Sequence, residues 1–195
     1  MHEAVRIIKD EHRSIAAVLH GLIYLTREIR DRGAAPDYRV LGAMLDYIVA
    51  FPEKLHHPKE DRYLFAALRM RSPESAPLID KLENEHARGD AFLRRLQDGL
   101  IAYEREGPAK FDDFRRAVEE YADFHWAHMR CEEEDVLPLA EKVLTEADWE
   151  SIAAAFKQND DPLFGIKPKE EFEHLFRRVV QLAPPPIGVG RDPRS

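Results

Sequence analysis

Residues 3–32 read EAVRIIKDEHRSIAAVLHGLIYLTREIRDR. Along them Val5, Ile8, Ile15, Leu19, Leu22 and Ile29 recur at steps of three and four, the period of one helix face. His12 and Thr26 share that stripe. Gly33 follows, a residue suited to the position just past a helix end. The stretch predicts one long amphipathic helix, about Glu3 to Arg32, with a histidine where an apolar side chain belongs.

The same grammar recurs along the chain. A second helical region starts near Asp37, which has the chemistry of an N-cap, and ends near Arg71. It contains Pro52 and Pro58. A proline inside a helix removes a hydrogen bond and costs roughly 3 kcal/mol, so a kink or restart is expected near Pro52, with the segment from there to Leu68 behaving as its own unit. A third helix runs from Ser72-Pro73 to about Glu106, striped by Ile79, Leu82, His86, Gly89, Leu93, Leu96, Leu100 and Tyr103. A fourth begins near Phe111 and runs beyond Glu134, striped by Phe114, Val118, Tyr121, His125, His128 and Glu132, with Pro138 bending its end.

Four such helices with short Gly/Pro connections predict an all-α fold, an up-down-up-down four-helix bundle over residues 1–144. One or two extra C-terminal helices should form an extension packed on it over 145–183. One opens at Thr145, in a weak relative of the capping box, and carries Trp149, Ile152 and Phe156. The other spans about Pro168 to Leu182. Residues 184–195, opening with three prolines, should be disordered.

Composition agrees. Of 195 residues, 44% are hydrophobic and 34% charged, enough to bury a core and too apolar for a disordered chain. No apolar run reaches the roughly 18 residues of a membrane span. The amino terminus mixes acids and bases without an apolar signal region, and Cys131 is the single cysteine, so a cytoplasmic location is expected. A net charge of −8 would repel a phosphate backbone, which argues against a nucleic-acid partner. No serine, cysteine or glycine-loop arrangement points to nucleophilic or phosphate chemistry.

The chemistry lies in polar residues on core stripes. His12, His86, His128 and Glu132 stand among Ile, Leu, Val and Phe. A buried carboxylate needs protonation, a paired charge or a metal. His56 and Glu60 are four apart, as are His128 and Glu132, so each pair can present a nitrogen and a carboxylate to one point. His12 precedes His56 by 44 residues and His86 precedes His128 by 42. The pattern His … His-x-x-x-Glu therefore occurs twice, as two helical hairpins that together offer four nitrogens and two bridging carboxylates. Imidazole and carboxylate without thiolate suit iron, manganese or zinc. His57 and Asp61 form a second pair at the same spacing, and periodicity does not choose between the two pairs across two prolines. His125, one turn before His128, is a hydrogen-bonding partner or a further ligand.

The segments Asp10-Glu11-His12, His56-His57-Pro58-Lys59-Glu60-Asp61, Glu85-His86 and His128-Met129-Arg130-Cys131-Glu132-Glu133 resemble the hemerythrin-like, or HHE cation-binding, domain over roughly residues 3–142. The resemblance implies a four-helix bundle with a non-haem di-iron centre, oxo- or hydroxo-bridged. Its ligands would be His12, His56, Glu60, His86, His128 and Glu132, the glutamates bridging. It also implies a small ligand, O2, NO or peroxide, that is bound or sensed, or a part in redox or iron homeostasis. Oxygen-carrying members have a histidine one turn after the third-helix ligand, where this chain has Asp90, and a longer His-to-Asp spacing in the last helix. Asp90 is thus a further candidate ligand, and the difference leans away from simple oxygen carriage.

Two other readings compete. Glu53-x-x-His56 and Glu83-x-x-His86 match the ligand spacing of ferritin-like di-metal carboxylate oxidases, although on consecutive helices. The metal, zinc for instance, could instead be a structural staple of a helical interaction module, with the C-terminal helices docking a partner or forming a homodimer.

Overall fold

A computed structural model describes residues 1–159, and every regular element in that range is helical. Helix α1 (Glu3–Arg32) ends where Gly33 turns left-handed at φ 62°, a conformation that strains any residue with a β-carbon. Asp37 caps α2 (Tyr38–Ile48), its carboxylate accepting from the Val40 N–H at 3.1 Å.

The chain does not break at Pro52. It widens into π-helical turns over Val49–His56 and Glu60–Phe65, on either side of the short α3 (His57–Lys59), and goes on as α4 (Ala66–Arg71). Proline gives no N–H to the carbonyl four residues back and its ring crowds that carbonyl; a wider turn relieves both. Helix α5 (Ala76–Glu106) is unbroken, and α6 (Phe111–Cys131) passes into a third π turn, Glu132–Val136, just before Pro138 in α7 (Leu137–Val143). Each His-x-x-x-Glu pair therefore abuts or enters a π turn.

Helix α1 lies against α2 and α6, and α5 lies against the same two, so the long helical runs ring one interior. Helix α8 (Glu146–Phe156) packs on α1 and on the Glu60–Phe65 turn. Its capping box is complete: the Asp148 N–H donates to Thr145 Oγ1 at 3.3 Å and the Thr145 N–H donates to Asp148 Oδ2 at 2.9 Å. The helix expected near 168–182 and the tail at 184–195 lie outside the described residues. No helix among the described residues is long and apolar enough to cross a membrane.

The core is apolar at both ends and polar between. One cluster includes Ile15, Leu19, Phe51, Leu93 and Phe114; the other includes Ile8, Leu64, Leu82, Val136 and Phe156. On each long run the candidate ligands fall between the two clusters: His12 between Ile8 and Ile15, His56 and Glu60 between Phe51 and Leu64, His86 between Leu82 and Leu93. On the last run His128 and Glu132 come before Val136. Four helices thus place their polar residues in one layer.

Candidate metal centre

Two groups of ligand atoms form in that layer. His12, His56 and Glu60 offer atoms within 4.8 Å of one another, and His57, Glu60, His86 and His128 do the same. Glu60 belongs to both, with Oε1 3.2 Å from His56 Nε2 and Oε2 3.5 Å from His86 Nε2. Glu132 spans the groups in the same way: Oε2 lies 3.4 Å from His12 Nε2 and Oε1 3.1 Å from His128 Nε2. Each carboxylate turns one oxygen to each group.

The outer nitrogens follow one rule. His12 Nδ1 donates to Glu133 at 2.9 Å, His56 Nδ1 to Glu11 at 2.7 Å, His86 Nδ1 to Asp61 at 2.7 Å and His128 Nδ1 to Glu85 at 2.8 Å. A carboxylate on Nδ1 fixes the tautomer and the ring, and leaves the Nε2 lone pair facing inward. Of these four carboxylates the spacing argument missed Glu11, Glu85 and Glu133, and it read Asp61 as a candidate ligand rather than as a partner of His86. Their signal is in the repeat: an acid precedes each lone histidine (Glu11, Glu85) and another follows each bridging glutamate (Asp61, Glu133). Helix α8 touches this layer as well. Phe156 meets the edge of the His56 ring at 5.8 Å, and Asn159 Nδ2 donates to the Glu11 carboxylate at 3.1 Å.

The interior of the site has acceptors without donors. Glu60 is fully buried and Glu132 is 1% exposed, yet none of their four oxygens has a hydrogen-bond partner, and neither does His12 Nε2. His86 Nε2 and His128 Nε2 are 2.9 Å apart. With both Nδ1 atoms protonated, two lone pairs meet there, and a proton or a cation must lie between them. An unpartnered buried carboxylate is among the costliest arrangements in a protein interior. Cations at the two groups would satisfy all of these atoms at once, so the residues present fit a di-metal centre.

Without metal, protons take that role. Burial alone would lower the imidazoles, but Glu60 and Glu11 hold His56 up at about 9, and Glu132 and Glu85 hold His128 up at about 10. His12 is likewise raised, burial being outweighed by Glu132, Glu133 and Glu60. Burial and Glu60 both push Glu132 up, yet His128 and His12 bring it down to about 2. Glu60 is also held well below its usual range, as His56 and His12 outweigh its burial.

The family model of the hemerythrin HHE cation-binding domain matches residues 3–140. The chain belongs to that family. The match covers both His … His-x-x-x-Glu halves of this HHE domain, and with them all the residues of the two cation-sized groups. No curated protein and no solved structure gives a match.

The other sequence candidates are placed differently in this HHE domain. His57 does not compete with His56: each joins a different group, because the two lie where a π turn meets α3. Asp61 faces the outer nitrogen of His86 instead of the interior. Asp90 is exposed and belongs to neither group, since on a regular α5 it faces solvent one position past the buried Gly89. His125 is buried in neither group; its Nε2 lies 3.8 Å from Glu53. Glu83 turns outward to Arg69 at 2.6 Å, and Glu53 reaches His57, His125 and Tyr121, so neither Glu-x-x-His glutamate joins the groups. Cys131 faces Lys81 at 3.5 Å, and burial raises its thiol.

Proposed function

We propose that this chain is a non-haem di-iron protein, an up-down-up-down four-helix bundle in the cytoplasm, that binds or senses dioxygen, nitric oxide or peroxide or serves redox or iron homeostasis. One observation carries the proposal: four histidine Nε2 atoms converge on two buried carboxylates whose oxygens have no other partner. His12 and His56 would hold one ion and His86 and His128 the other, with Glu60 and Glu132 bridging. Two iron ions, when bound, supply a pair of one-electron couples and open positions for a small ligand.

The chain's own residues do the rest. The Nδ1 carboxylates orient each imidazole and raise its basicity as a ligand. The apolar clusters above and below exclude water. A shallow surface cleft of about 450 Å³ lined by Lys9, His12, Arg13, Ala16, Met129 and Glu133 lies on the His12 side of the layer. Anaerobic loading with iron followed by oxygen should produce a ligand-to-iron charge-transfer band in the near ultraviolet, and nitric oxide should shift the spectrum of the reduced form. A chain that takes up only zinc, or iron with no response to oxygen, nitric oxide or peroxide, would instead mark a structural staple.

A further inference from the structure

Helix α8 and Asn159 lie beyond residues 3–140, the stretch the family model matches, yet both reach the polar layer. We propose that Asn159 is a positioning residue for the His12–His56 side of the centre, and that α8 is a strap whose docking and cation binding on that side strengthen each other. This rests on the di-metal reading above.

The four Nδ1 carboxylates are not alike. The Glu11 side chain is 8% exposed, against 19% for Glu85, 35% for Glu133 and 38% for Asp61. Asn159, just past the end of α8, stands over Glu11. Its Nδ2 donates to both carboxylate oxygens, 3.1 Å to each, and Glu11 Oε2 also accepts from His56 Nδ1 at 2.7 Å. Lys59 Nζ donates to Asn159 Oδ1, which fixes the amide. Turned over, it would set its NH2 against an ammonium and its oxygen against a carboxylate. Phe156 meets the edge of the same imidazole at 5.8 Å. The end of α8 therefore holds His56 twice, at the ring and through its Nδ1 partner. On the other side Glu85 meets Lys81 of its own helix at 3.7 Å, so the two halves are tied down differently.

The remaining hold on α8 is light. Trp149, Ile152 and Phe156 are buried, but the Lys157–Glu3 pair at 2.7 Å is exposed, where ion pairs contribute little. An 11-residue helix docked in this way opens locally at less cost than the bundle unfolds. With a cation on Nε2 the His56 ring is fixed and its Nδ1–H becomes a stronger donor, which fixes Glu11 and, through it, Asn159. In the other direction, a docked Asn159 holds Glu11 and pre-orients the ring. Such a coupling has the same size read from either end.

Hydrogen exchange and competition titration with cobalt(II) test this on the full chain. In wild type, cobalt loading should slow amide exchange over residues 153–159 about tenfold or more. The ionised carboxylate of Asn159→Asp keeps the Lys59 contact but cannot donate to Glu11. In that variant the slowing over 153–159 should be lost while slowing around His86 in α5 remains, and one of two cobalt steps should weaken about tenfold with the other unchanged. Asn159→Ala should behave in the same way. Wild type that takes two ions without slowing over 153–159, an Asn159→Asp chain equal to wild type in both measurements, or equal weakening of both steps would overturn the proposal. An effect of Asn159→Ala alone would also overturn it, by placing the tie at Lys59. Wild type that binds no cobalt would overturn the di-metal reading itself.

Discussion

His56 and His128 carry protons at neutral pH in the metal-free chain, at about 9 and about 10, and a cation must displace them. Metal affinity should therefore rise between about pH 6 and about pH 8, roughly tenfold per pH unit for each proton displaced, as read by competition titration. The stability of the metal-free chain should run the opposite way. A raised imidazole contributes stability that is complete below its ordinary value of 6.5 and is lost as pH climbs through 9 to 10. Glu132, at about 2 against an ordinary 4.5, contributes above 4.5 and loses its contribution as pH falls towards 2. Denaturant midpoints of the metal-free chain should accordingly be highest between about pH 4.5 and 6.5, decline above 6.5 and level off once pH passes about 10. His12, His86, His128 and Glu132 were legible because each breaks an apolar stripe, whereas His56 and Glu60 were read from their four-residue spacing. The Nδ1 carboxylates were harder to read, since Asp61 and Glu133 each serve a histidine of the opposite half, a pairing that only the packed helices reveal.

Long helices are where sequence periodicity is most informative, and α1 and α5 follow their stripes from start to end. The π turns are not written in any period. They arise where Pro52, Pro58 and Pro138 withhold a donor, and they place both His56 and His57 in the interior, a choice between two pairs that periodicity alone had left open. Gly89 on α5 offers a test at this scale. Gly89→Ala should leave the metal-free chain as stable or more stable by up to about 1 kcal/mol, because the crowded neighbour is the movable end of Glu53. At α8, Thr145→Ala removes one half of a capping box whose Asp148 also binds Arg71 at 2.9 Å. The expected loss is about 1 kcal/mol in chemical denaturation.

Across the whole molecule, two apolar clusters meet at a layer that neither can satisfy. Cations bound in that layer join all four long helical runs, so they should stabilise the folded chain by mass action, about 4 kcal/mol at a free concentration a thousandfold above the dissociation constant. A strong chelator should lower the melting temperature accordingly, and re-addition of metal should restore it. All of this depends on a pair of ions sharing Glu60 and Glu132. Elemental analysis of the freshly purified chain beside Glu60→Ala tests it most directly. Two metal ions per wild-type chain, falling to one or none in the variant, is the predicted result; a single ion per chain that survives Glu60→Ala, or no metal at all, would contradict it.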